Sequence, residues 1–447
     1  MSLSFRLLPL AYLPLFIYLP NCSLPILHFV NRPVTRDPIG LNFSIVLCLV
    51  GGYFLLFERI NRRLATFIWF VVAWLTFSLI AGLSYSSSSA NVLFYVQTVL
   101  PFLALPYGYK LIRTESDLVR FIHVSAASTA VAIALILIVL AGYGTARLLT
   151  DRIAIMHDLA QGIPQFKSYY PLTVLATFSF TLAQYLFGDR RYNRFNLPLL
   201  VLHILFLPFC WTRAGLSAFV LCAMIQLLFV ALSKRARKDR MGFVILTFAV
   251  LLPLIFSTLG TTFGSRVDVH DLDNHSDQVR WQLFVEGIKR AVSRPVFGDM
   301  FIPAWEERIG GESVEINRLF GAHNQYVDML LRGGFVYLAV FGVFYLGTLR
   351  RCRLLSRDAL RDINPQYQAF SCGAFSYLCA VAMASNFQLY FVQLQTAVPV
   401  FVVIGSTLRA YDLARLRIAG QRAWQRGTDR PLEIPAPRLP RPTRVFR

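Results

Sequence analysis

Three residues of this chain have side chains suited to acting on a charged, oxygen-rich substrate: Arg213, Arg280 and His323. A guanidinium offers a planar fork that forms bidentate, charge-assisted hydrogen bonds with phosphate oxygens. A neutral imidazole can take a proton from a hydroxyl at ordinary pH. His323 opens a helical pattern in which Val327 and Leu330 share its face and Gly333-Gly334 supply the stop, so it is expected to point inward. Desolvation and the positive potential of a helix N-terminus both favour the neutral ring, the state a general base needs. A core histidine satisfied by a polar neighbour would leave the same pattern.

Arg280 follows Asn274-His275-Ser276-Asp277, a helix-capping run, and precedes an apolar stripe of Trp281, Phe284, Val285, Ile288 and Val292 that stops before Pro295. The pattern predicts an amphipathic helix lying on a helical bundle, with Arg280 at the border of the apolar face and Gln282, Glu286 and Lys289 pointing away. From there Arg280 either reaches a cavity or snorkels to water. Arg213 comes directly after Trp211-Thr212 and before a clean apolar run. A membrane-embedded arginine calls for a partner such as phosphate, unless it serves as an interfacial anchor. Asn324, Tyr326 and Arg266 are supporting candidates, as are Arg147 and Arg152 in a loop at 143–168 that also holds His157 and Lys167. Asp268, His270, Asp271, Asp273 and His275 form an acidic and imidazole cluster, but such patterns are common in solvated loops. No metal and no other cofactor is expected.

The elements that must position these residues are set by composition. Of 447 residues, 56% are apolar and only 15% charged, and mean hydropathy is +0.53. Those values exclude an ordinary soluble domain and indicate a polytopic membrane protein. The formal charge of +20 does not point to nucleic acid, because the Lys and Arg stand in short clusters between apolar runs. Seven cysteines, Cys22, Cys48, Cys210, Cys222, Cys352, Cys372 and Cys379, show no CxxC spacing, so neither a disulfide framework nor a zinc site is suggested.

At about 20 apolar residues per span, helices are predicted near 7–27, 41–57, 65–83, 92–110, 121–142, 169–187, 197–211, 213–232, 241–259, 335–350, 368–387 and 391–409. The expected fold is all-α, a polytopic integral membrane protein of about twelve transmembrane helices with a helical periplasmic insert. Clusters such as Arg62-Arg63, Arg190-Arg191, Lys234-Arg235 and Arg350-Arg351 assign alternate loops and both termini to the cytoplasm. Nine spans would fill 1–259, a catalytic insert 260–334 would face the periplasm, and three spans would fill 335–409. A basic cytoplasmic tail would follow at 410–447, opening with a short interfacial helix that carries Leu413, Leu416, Ala423 and Trp424.

Thr212-Arg213-Ala214-Gly215 opens a span, Arg280-Trp281 precedes Pro295-Val296-Phe297-Gly298, and His323-Asn324-Gln325-Tyr326 is followed by Gly333-Gly334. In that order these motifs resemble the O-antigen ligase and polymerase superfamily, with Asp299 a departure where relatives often carry a further glycine. The resemblance implies a bacterial inner-membrane glycosyltransferase with its active site facing the periplasm. Its donor would be a glycan on undecaprenyl pyrophosphate and its acceptor lipid A-core, a transfer needing neither ATP nor metal. The resemblance further implies that Arg213 and Arg280 bind the pyrophosphate and that His323 activates the acceptor hydroxyl. A superfamily polymerase and a polyprenyl-glycan transporter are the competing expectations. Against the transporter, the chain lacks paired Gly/Pro-interrupted helices in matching halves.

Overall fold

A computed structural model describes residues 43–84, 89–142, 170–207, 213–233, a few positions at 240–249, 272–299, 304–309, 312–317, 324–357, 364–387, 391 and 394–425. Its helices are α1 (Phe43–Phe57), α2 (Arg62–Leu83), α3 (Ser89–Val99), α4 (Ala104–Leu111), α5 (Glu115–Gly142) and α6 (Tyr170–Phe187). Then come α7 (Asn193–Phe206), α8 (Arg213–Leu232), α9 (Leu272–Ser293), α10 (Gln325–Leu355), α11 (Pro365–Ala384) and α12 (Leu394–Gln425). Among the described residues five helices are long and apolar enough to cross a membrane: Arg62–Leu83, Glu115–Gly142, Ala214–Leu232, Gln325–Leu355 and Thr396–Gly420. The chain is an all-α, multi-pass membrane protein. The expected span at 7–27 and most of that at 241–259 lie outside the described residues.

Three elements depart from the sequence reading. The span expected at 92–110 is broken into α3, a 3-10 turn at Leu100–Leu103 and α4, because Pro101 has no N–H to donate and crowds the preceding turn. The last span and the separate interfacial helix expected after it are one continuous helix, α12, whose buried stripe continues past the apolar run through Ala410 and Ala414. The insert, expected to be helical, also holds a hairpin of β1 (Ala304–Ile309) and β2 (Glu312–Asn317), paired antiparallel with Ala304 opposite Asn317. Gly310-Gly311 stand between the strands in the sequence, a pair suited to a two-residue turn.

The centre of the bundle is formed by α6 and α11, both buried on nearly every side. A helix surrounded by protein can afford no charged face, and α6 carries none. Polar side chains bond across the centre: Ser179 Oγ of α6 donates to the Gly373 carbonyl at 2.7 Å and Gln226 Nε2 of α8 to the Ser376 hydroxyl of α11 at 2.8 Å. Close approach of α4 and α12 relies on Gly108 and Gly405, where a Cβ would strike the Val402 and Leu105 carbonyls respectively.

The basic loops gather at one end. Lys110 pairs with Glu58 at 2.8 Å, Asp412 accepts from Asn61 and from the Tyr109 hydroxyl, each at 2.8 Å, and Glu115 accepts from Asn364 at 2.7 Å and Arg417 at 2.6 Å. These contacts tie the ends of α1, α2, α4, α5 and α11 to the second half of α12, far apart from most of them in the chain.

Candidate functional site

The opposite end is organised around the start of α10. Asn324 has extended backbone, and its side-chain oxygen accepts from the N–H groups of Tyr326 at 3.0 Å and Val327 at 3.2 Å. It is therefore the helix N-cap, satisfying donors that have no intrahelical acceptor. This corrects the expectation that His323 opens the helix, since His323 precedes the cap. Asn324 Nδ2 also donates to the Asn386 carbonyl at 3.2 Å, the Gln325 N–H to the Ser385 carbonyl at 2.9 Å, and the Tyr326 hydroxyl to the Ala382 carbonyl at 2.7 Å. Three successive residues thus bind the C-terminal end of α11, fixing the start of α10.

Gly334, with φ 68° and ψ −168°, breaks α10. L side chains pay a steric cost at positive φ, and a Cβ here would also strike the carbonyl of Val296. The consequence is geometric. The hydroxyls of Tyr326 and Tyr345 reach the carbonyls of Ala382 and Leu378, about 6 Å apart along α11, whereas an unbroken helix would separate the two tyrosines by about 28 Å. Residues 325–333 therefore lie across the end of the bundle instead of continuing its axis.

The Pro295-to-Asp299 turn fits against this break. The Phe335 N–H donates to the Pro295 carbonyl and the Asp299 N–H to the Leu331 carbonyl, both at 2.7 Å. Gly298, at φ 64°, is the second positive-φ glycine among the described residues, and a Cβ there would meet the Leu330 carbonyl. Phe297 stacks on Trp74 of α2 at 5.0 Å, and Trp74 Nε1 donates to the Gly333 carbonyl at 2.8 Å. Asp299 is buried and lies 3.9 Å from Arg290 and 4.0 Å from Arg294, so a carboxylate ties the turn to the end of α9.

Sequence reasoning missed the interaction that pins residues 325–333 from beneath. Asp328 and Arg332, one helical turn apart, form a two-point ion pair at 2.6 and 3.4 Å with side chains only 5% and 8% exposed. Arg332 Nη1 donates to the Thr98 hydroxyl at 2.7 Å, its guanidinium lies 5.7 Å above the Phe94 ring, and its carbonyl accepts from Ser78 at 3.0 Å. The i, i+4 acid–base spacing inside an apolar run was the available signal.

The two arginines can be placed by their backbones. Residues 226 and 229 of α8 meet 376 and 375 of α11, through Gln226 to Ser376 and Phe229 against Phe375 at 5.4 Å. Numbers rise on one helix as they fall on the other, so α8 runs antiparallel to α11, and its first residue, Arg213, stands at the Ala384 end with Asn324. Arg280 lies within α9, which packs on α10. The face of α9 turned to the protein is Leu283, Gly287 and Ala291, which are buried, whereas Trp281, Ile288 and Val292 are 66%, 38% and 66% exposed. This reverses the sequence expectation, because periodicity finds an apolar stripe without saying what covers it. Position 280 falls in register with the inward stripe, seven residues before Gly287.

His323, Arg266, Arg147, Arg152 and the acidic positions 268–271 lie outside the described residues. Among the described residues no group of three or more His, Cys, Asp or Glu side chains is placed to hold a metal.

Residues 198–342 match the family model described as O-antigen ligase. Over that stretch the chain is similar to the O-antigen ligase family. The stretch begins within α7 and ends shortly after the Gly334 break, so it takes in Arg213, α9, the Pro295-to-Asp299 turn and the capped start of α10. No curated protein matches the chain. The match over 198–342 is consistent with the O-antigen ligase and polymerase superfamily of membrane enzymes.

Proposed function

We propose that the protein is a glycosyltransferase that moves O-antigen polysaccharide from undecaprenyl pyrophosphate to a lipid A-core oligosaccharide at the periplasmic face of the inner membrane. The observation carrying this reading is the O-antigen ligase match over 198–342, whose bounds include Arg213, Arg280 and His323.

In this reading Arg213 and Arg280 hold the diphosphate in line and stabilise the charge that develops as it departs. Neutral His323 removes the proton from the acceptor hydroxyl as its oxygen attacks the anomeric carbon. The C–O bond to the diphosphate breaks as the new glycosidic bond forms, and direct displacement inverts the carbon. The leaving group is already activated, so ATP is not required, and the two guanidinium groups supply the cationic stabilisation. Asn324 and Tyr326 support the site by fixing the residues that follow His323, and Arg266, Arg147 and Arg152 extend its positive potential. The polyprenyl chain stays in the lipid phase, where its apolar surface is most stable.

The test is deletion in the host, with lipopolysaccharide resolved on gels and undecaprenyl-linked glycans extracted. Long O-antigen accumulating on the carrier beside bare lipid A-core supports the ligase, whereas core bearing a single repeat unit identifies a polymerase. With purified protein, transfer should persist in a chelator and disappear in His323→Ala. Full activity of His323→Ala would overturn the base assignment, and glycolipid translocation without transfer would identify a transporter.

A further inference from the structure

Helix α9 has three faces where a helix packed on one partner has two. Its inward face is buried, with Leu283, Gly287 and Ala291 turned to the protein. A polar arc follows, in which Glu286 pairs with Arg290 at 3.4 Å and with the largely exposed Lys289 at 3.7 Å. The third face is Trp281, Ile288 and Val292, within about 40° of one another at 100° per residue and turned away from the protein. Exposed Val296 continues this stripe beyond the helix end. Trp281, Ile288 and Val292 thus face outward, while Gly287 and Ala291 lie on the side turned to the protein.

The stripe adjoins the flank of a membrane-spanning helix. Phe297 lies 5.3 Å from Phe77 of α2 and stacks on Trp74. Phe70, Phe77 and Ile80 on the outer side of that span are all exposed, as residues facing acyl chains are. Phe335, at the start of the span that follows the Gly334 break, is exposed beside them. An apolar stripe continuous with a lipid-facing flank, bordered along its length by a charged arc, is the pattern of a helix lying in the plane of a membrane interface. Trp281 has the amphipathic ring that favours that depth.

We propose that α9 is a membrane-surface helix, its Trp281, Ile288 and Val292 edge inserted among lipid acyl chains and its Glu286, Lys289 and Arg290 arc lying at the headgroups. The inference does not depend on the glycan chemistry. It makes the bilayer part of the scaffold that sets the height of α9, and thereby of position 280, above the membrane.

The test uses the full chain in liposomes of phosphatidylethanolamine and phosphatidylglycerol. Subtracting the fluorescence of Trp281→Phe from that of the unsubstituted protein isolates Trp281. The expected result is blue-shifted emission, loss of intensity when the acyl chains carry bromine near the headgroup, and protection from aqueous iodide. Red-shifted emission quenched by iodide and untouched by bromine would overturn the proposal. A photoreactive benzophenone residue at 292 should capture lipid, and the same residue at 289 should capture much less. Capture at 292 of a second copy of the chain would instead make the stripe a protein interface and refute a lipid contact.

Discussion

The two ends of the bundle are held by different physics. At the basic end, side chains pair across helix ends in partly solvated surroundings: in Arg417 with Glu115, half of the arginine side chain is exposed. At the end bearing Asn324 the bonds run largely to backbone carbonyls, those of Ala382, Ser385, Asn386, Pro295, Leu331 and Gly333, and the tightest ion pair among the described residues there, Asp328 with Arg332, is buried. Exposed pairs are screened and tolerate movement. Backbone bonds and a desolvated pair define one geometry, as a site that must hold reacting groups in line requires. The basic end fastens the helices together, and the opposite end sets the path of the chain.

Substitutions can break that contrast. The largest effect is expected at the proposed chemistry: His323→Ala should lower transfer by about 10²–10⁴-fold, and Arg213→Ala or Arg280→Ala by about 10²–10³-fold. Arg417→Ala at the basic end should leave the rate of purified enzyme unchanged. An equal loss from Arg417→Ala in a glycan-transfer assay would erase the distinction between the two ends.

Next is Arg332→Ala, which strands Asp328 in a buried site and should cost about 3–5 kcal/mol, read as the shift in unfolding midpoint in mixed micelles. Asp328→Leu combined with Arg332→Met should recover most of that stability. No recovery would show that the pair carries more than its own charge. Gly334→Ala should cost at least about 1–2 kcal/mol from its positive φ alone, with further loss from the collision at Val296, and transfer should fall alongside stability. Smallest is Arg417→Ala on stability, within about 0.5 kcal/mol and vanishing in high salt. A larger, salt-independent shift would make the basic end as rigid as the other.

Much of the fold was legible as apolar length: α2, α5, α6, α8 and α11 fall within a few residues of the runs that predict them, because about 20 apolar residues have few alternatives in a bilayer. The break in α3 was legible in retrospect at Pro101. The hairpin was partly visible, as alternation in Ser313-Val314-Glu315-Ile316 after two glycines, but the helical reading of the insert overrode it. The role of Asn324 as cap, one residue after His323, was masked by a periodicity that fits equally well when begun at either residue.

By itself, the amino-acid sequence determined that this is a multi-pass membrane protein, which runs span it, and which residue types stand at 213, 280 and 323, because hydropathy and side-chain chemistry are properties of single segments. Only the tertiary structure decided that residues 325–333 turn across the bundle at Gly334, that Asp328 and Arg332 anchor them against α3, and that the stripe of Trp281, Ile288 and Val292 faces outward. Those outcomes depend on which surfaces meet. An apolar stripe is equally at home against protein or lipid, and an i, i+4 ion pair is equally compatible with water or a core, until the rest of the chain has filled one side.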